Sequence, residues 1–132
     1  MTVLAAVDVD EEPERVIRTG HEFATAFEEP LVVLYVASQG DSTLEQATSS
    51  AKNKVSNVIN ETLDTHEGVE EEGRVGVPEE EILAAIEEIG PRIVVIGGRK
   101  RSPVKQLLFG SVSQSIVRNA ELPVVTLMEG ED

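Results

Sequence analysis

The chain has 132 residues, of which 40% are hydrophobic and 3% aromatic, and it carries a formal net charge of −14. That length suits a single domain with its own core, and the absence of cysteine excludes disulfides and thiolate metal sites. The acidic balance disfavours binding to nucleic acid or to an anionic membrane, and no apolar stretch is long enough to span a membrane.

The first half of the chain predicts two buried strands and two helices. Val3–Val7 is a short apolar run that Asp8 closes, as in a buried strand. Pro13 opens a helix whose apolar residues recur at helical spacing. Leu31–Val36 predicts the second strand, and a long amphipathic helix over residues 47–63 follows it.

The second half continues the same alternation of strands and helices. It predicts, in chain order, an edge strand over 69–77, a helix over 78–89, a strand over 93–96, a helix that begins near Gly110–Ser111 and a last strand over 123–127. The strand over 93–96 is the most hydrophobic, so we expect it at the centre of the sheet. On the fourth helix, the spacing places Val112, Ile116, Val117 and Ala120 on the inward face.

Strict alternation of strands and helices predicts an α/β fold with a parallel sheet, helices on both faces and right-handed crossovers. The sequence contains no evident linker or repeat, so residues 1–132 are expected to form one domain. Ligands of such sheets bind at the carboxyl ends of the strands, where the winding direction reverses. Asp8 follows the first strand and Gly97–Gly98 follows the fourth, so we expect a site between these two strand ends.

A basic segment follows the fourth strand directly. Arg99–Arg101 and Lys105 supply four of the chain's 11 basic residues. The segment leads to a predicted helix N-terminus at residues 110–113, where free N–H groups and two serine hydroxyls would favour an anion. Each feature also has a plain structural reading, as a tight strand exit, a solvated loop or a helix cap. Their coincidence at the predicted switch point favours an anion-binding site.

Other kinds of chemistry find little support in the motifs. The sequence has no Gly-x-x-x-x-Gly-Lys-[Ser/Thr] loop, no Gly-x-Gly-x-x-Gly fingerprint and no Gly-x-Ser-x-Gly elbow, which disfavours a P-loop NTPase, a hydride-transferring enzyme and a serine hydrolase. His21 and His66 lack neighbouring metal-ligand partners in the sequence. No general base or metal-binding carboxylate pair stands out, so we do not expect an enzyme, and a slow ATPase is the least favoured reading.

Along essentially its whole length, the chain resembles the universal stress protein family. The matching stretches are Val3–Asp8, Leu34–Val36 and Ile93–Leu127, with Gly97–Ser113 and Asn119–Val125 the most specific parts. ATP-binding members of that family carry the motif Gly-x2-Gly-x9-Gly-[Ser/Thr]. In this chain Gly97, Gly110 and Ser111 fit the motif, whereas Lys100 stands at the second glycine. A lysine there either crowds the phosphates or supplies a charge that contacts them, and the sequence leaves both readings open.

The resemblance implies a three-layer fold with a five-stranded parallel sheet in the order 3-2-1-4-5. It also implies an adenine nucleotide, ATP above all, and a Mg²⁺ ion could accompany the phosphates. By the same resemblance, Asp8 would meet the adenosine, Ala6 and Val36 would line the base pocket, and Ile96 would back the ribose. The phosphates would be held by Gly97, Gly110, Ser111, Val112 and Ser113, with Lys100 as a further candidate contact.

The family resemblance further implies a homodimer formed through the last strand, here Val124–Met128. This apolar strand is expected at a sheet edge, where it would be a liability if it were left unpaired. We therefore predict a cytoplasmic, homodimeric stress-response module that binds ATP and acts on protein partners that the sequence does not identify. The alternative is an interaction module of the same family without nucleotide. The acidic composition favours a protein from a salt-loving organism, and the alternative is an ordinary acidic cytosolic protein.

Overall fold

Strands and helices alternate along the chain in the computed structural model, which describes residues 1–9, 12–97 and 111–127. The elements are β1 (Val3–Val7), α1 (Pro13–Phe27), β2 (Leu31–Ala37), α2 (Leu44–Thr62), β3 (Val69–Val75), α3 (Pro78–Ile89), β4 (Ile93–Gly97), α4 (Ser111–Asn119) and β5 (Val124–Leu127). No helix in these ranges is long and apolar enough to cross a membrane.

The strands form one parallel sheet in the order β3-β2-β1-β4-β5, which confirms the predicted α/β fold and strand order. The expectation that the strand over 93–96 is central is wrong, because β1 occupies the centre and β4 lies between β1 and β5. All five residues of β1 are buried, as are the first four of β4. Both strands are flanked by neighbours and covered on two faces, so hydrophobicity alone does not distinguish the central strand from the next one.

Helices cover both faces of the sheet and enclose two apolar clusters. On one face α1 and α2 contribute Val16, Ile17, Val55 and Ile59, which pack against the odd-numbered residues of β1. On the other face α3 and α4 contribute buried residues that pack against Leu4 and Ala6. Since α1 leaves β1 toward one face and α4 follows β4 on the other, the winding of the sheet reverses between β1 and β4.

The orientation of α4 differs in one residue from the prediction. Ser113, Ile116 and Ala120 are buried, whereas Val117 is 54% exposed. The buried residues follow one another at three- and four-residue steps, which defines a single stripe of the helix. Val117 lies about 100° around the helix from Ile116 and is exposed, so its placement on the inward face is wrong.

Candidate functional site

The carboxyl ends of β1 and β4 lie side by side at the point where the winding reverses. Ala6 of β1 is the register partner of Ile96 of β4, so Asp8 and Gly97 follow at the same edge of the sheet. Val36 stands at the corresponding end of β2, two residues after Leu34, the partner of Ala6. The fold thus brings together the candidates that the sequence placed on three separate strands.

Exposure divides these residues into a floor and a rim. Ala6 and Ile96 are 8% and 4% exposed and belong to the apolar cluster under α3 and α4. Val36 is half-buried and packs against the same cluster. Asp8 and Gly97 are exposed. A ligand at this edge would therefore meet an apolar floor with a carboxylate and a glycine backbone above it.

Gly97, at the end of β4, is loosely surrounded by the residues that the structure describes. Its φ lies outside the left-handed region, so the backbone does not demand glycine. Among the described residues, a Cβ added to Gly97 would meet only Val16 Cγ2, at 3.6 Å, which is an ordinary contact. Neither backbone strain nor packing within the described ranges requires a glycine here.

The first turn of α4 is fixed against this same strand end. The Ser113 hydroxyl donates to the Gly97 carbonyl oxygen at 2.9 Å, and Val112 packs partly against the apolar cluster below. The first N–H groups of an α-helix have no partner within the helix, and they carry partial positive charge. Helix N-termini of this kind favour anions, and the turn that begins at Ser111 lies next to the exposed Gly97.

The remaining candidates fall on the part of the chain that the structure does not describe. Lys100 and Gly110 lie outside the described residues, as do the other cations of the basic segment, and the side chain of Ser111 is likewise not described. Among the described residues, no group of three or more His, Cys, Asp or Glu side chains could hold a metal ion.

Two arginines elsewhere are held by carboxylates. Arg74 Nη2 lies 2.9 Å from Glu88 Oε1, and this guanidinium holds the pKa of Glu88 below its usual value. Arg92 binds both carboxylate oxygens of Glu29 at 2.6–3.0 Å, and its hydrogen bonds likewise lower the pKa of Glu29. Both arginines thus pair with carboxylates from other parts of the fold. The basic segment that follows β4 in the sequence instead gathers four cations within seven positions.

The fold and this strand edge define a doubly wound α/β domain whose switch point lies between β1 and β4. The model of the universal stress protein family matches residues 1–127. The chain belongs to the universal stress protein family.

Individual relatives agree with that assignment. The universal stress protein MJ0577 of Methanocaldococcus jannaschii is 32% identical over 80 residues, a match that spans 61% of this chain and 49% of that protein. A universal stress protein from Archaeoglobus fulgidus is 30% identical, with a TM-score of 0.70 over 96% of this chain and 97% of that one. A structure of the Archaeoglobus fulgidus protein in complex with dAMP is 26% identical, with a TM-score of 0.70 over 96% of each chain.

Proposed function

We propose that this chain is a cytoplasmic, homodimeric stress-response module that binds an adenine nucleotide, ATP above all, in the crevice between β1 and β4. The observation that carries the proposal is the hydrogen bond from Ser113 to Gly97, which sets the first turn of α4 beside an exposed glycine backbone. The dAMP complex of a family member that is 26% identical gives the class of ligand.

The described residues fit such a ligand in a definite order. Phosphates suit the N–H groups of the first turn of α4, because that end of the helix favours anions. The Asp8 carboxylate only accepts hydrogen bonds and would repel phosphate, so it suits the adenosine end. The apolar floor formed by Ala6, Ile96 and Val36 suits a base. A Mg²⁺ ion bound with the phosphates would neutralise part of their charge.

The purified protein should carry adenine nucleotide in amounts equimolar to the chain, or should take up ATP when it is added. Denaturation followed by chromatography measures the bound nucleotide, and calorimetric titration with ATP and with adenosine measures uptake. A protein that is empty and ignores both ligands would contradict the proposal and favour the interaction module without nucleotide. Steady release of phosphate from ATP would instead favour an enzyme.

The proposed dimer predicts a change of assembly when the β5 edge is altered. Val124–Leu127 are half-buried within one chain and pair with β4, and an apolar edge of this kind needs a cover. Sedimentation should give twice the chain mass of 14.3 kDa. Val125→Lys should give monomers, because a charge would enter the interface.

The opposite edge of the sheet supplies the matched control. Val69 on β3 is also half-buried and packs against the same apolar cluster as Val125. Val69→Lys should therefore disturb the chain to a similar degree and leave the dimer intact. A wild-type protein that sediments as a monomer at micromolar concentration would rule out the β5 dimer.

A further inference from the structure

Ser113 is an unusual residue in this fold. Within the described ranges it is the only polar or charged residue that is buried as a whole, with 6% of its surface exposed. A buried hydroxyl is unfavourable unless it is hydrogen-bonded. Alanine would fill the same helix position without that penalty, so the hydroxyl must be explained by its partner.

That partner is the carbonyl oxygen of Gly97, the last residue of β4, at 2.9 Å from Ser113 Oγ. The two residues are 16 positions apart in the sequence, and the basic segment lies between them. The bond therefore connects the residues that flank that segment on either side. It also fixes the height of the first turn of α4 above the end of β4.

The chemistry of the bond determines what Ser113 cannot do. A hydroxyl has one proton to donate, and a backbone carbonyl only accepts, so the proton of Ser113 is directed at Gly97. With 6% of the residue exposed, a phosphate has almost no access to the oxygen. Ser113 is thus poorly suited to be a direct phosphate donor, which is the role that the family resemblance implies for its hydroxyl.

We propose that Ser113 is a positioning residue of the nucleotide site, whose hydroxyl holds the N–H groups of α4 at this strand edge through its bond to Gly97 and does not itself contact the phosphates. This inference rests on the proposed function. Loss of the bond would leave a carbonyl without its donor and would free the first turn of α4 to shift. Anion cradles of oriented N–H groups depend on their placement to a fraction of an ångström.

The test compares Ser113→Ala with Ser115→Ala, the same change on the same helix at a half-buried position. Calorimetry with ATP and with adenosine follows binding, and hydrogen exchange of the nucleotide-free protein follows the amides of α4. Ser113→Ala should lower the affinity for ATP about tenfold, as loss of one hydrogen bond allows. It should leave adenosine affinity unchanged and speed exchange at the start of α4. Ser113→Thr keeps the hydroxyl and should restore ATP affinity, and Ser115→Ala should change none of these quantities.

Three other results would contradict the proposal, and each would point to a different role for Ser113 or for the protein. Lower ATP affinity with unchanged exchange would make Ser113 a direct ligand. Equal losses for ATP and adenosine, or a Ser113→Ala protein that does not fold while Ser113→Thr fails to restore binding, would make its role one of stability alone. If the wild-type protein binds neither ligand, the proposed function fails. In that case hydrogen exchange of the α4 amides still tests the role of Ser113. If Ser113→Ala leaves their exchange unchanged, Ser113 does not position α4.

Discussion

Replacing Gly73 with alanine should lower the free energy of unfolding by about 2–3 kcal/mol, the upper range for overpacking. The reason is that α2 rests directly on the backbone of β3. A Cβ at Gly73 would lie 2.5 Å from the Lys52 backbone nitrogen and 2.9 Å from the Ala51 carbonyl carbon. These atoms belong to a helix backbone and cannot turn aside as a flexible side chain can, so α2 must move off the sheet.

The displacement of α2 reaches the core, because Ala51, Val55 and Ile59 on its inner face are 1%, 0% and 0% exposed. Gly97→Ala is the matched control, since it places the same methyl group in another strand. There the Cβ meets only an ordinary contact among the described residues. Alanine also restricts the unfolded chain, so Gly97→Ala should be neutral or stabilising by up to about 1 kcal/mol. Urea unfolding followed by circular dichroism measures both variants, and equal stabilities would refute this account of α2.

The strands that the sequence predicted well are those with two covered faces. β1, β2 and β4 are nearly continuous apolar runs because helices cover both sides of a parallel sheet. β3 was less clear and ends at Val75, short of the predicted residue 77. Gly76 has a φ of 150°, and Val77 is the N-cap of α3 and 45% exposed. Val77 looked like part of a strand only because valine is common in strands.

The start of α2 was missed for a different reason. Apolar spacing first becomes visible at Ala47, but the helix begins at Leu44. The Thr43 hydroxyl accepts from the N–H of Gln46, and the Gln46 side chain accepts from the N–H of Thr43. This capping box nucleates the helix with polar groups, which an apolar pattern does not register.

One part of the candidate site could be predicted from the sequence pattern, and another part depends on tertiary contacts. Strand order alone brings Asp8 and Gly97 to neighbouring strand ends, so topology could predict that part. The partner of the Ser113 hydroxyl could not be predicted, because it depends on how α4 is rotated and how high it lies above β4. Packing of Ile116 and Ala120 against the sheet sets that orientation, and packing is not visible in a one-dimensional pattern.

Gly110→Val should abolish ATP binding and leave adenosine binding in place. Gly110 directly precedes Ser111, the first residue of α4, and it fits a glycine of the family motif. Because residue 110 immediately precedes this turn in the sequence, we expect a branched side chain to crowd the phosphates that the proposed function places at the N–H groups of α4. Gly110→Ala, with one carbon in place of three, should give an intermediate loss. Calorimetric titration measures both variants, and unchanged ATP affinity in Gly110→Val would remove the phosphates from this end of the helix.

Lys100→Gly tests the motif position at which this chain departs from glycine. It restores the family motif at this position and, unlike Gly110→Val, removes a side chain rather than adding one. Since the basic segment gathers cations in a chain with a net charge of −14, we expect Lys100 to attract the phosphates. Its loss should then weaken ATP binding and flatten the dependence of affinity on salt. Stronger binding in Lys100→Gly would show instead that lysine crowds the phosphates. In either case the double variant that combines Lys100→Gly with Gly110→Val should not bind ATP, since both readings of Lys100 place the phosphates at the N–H groups of α4.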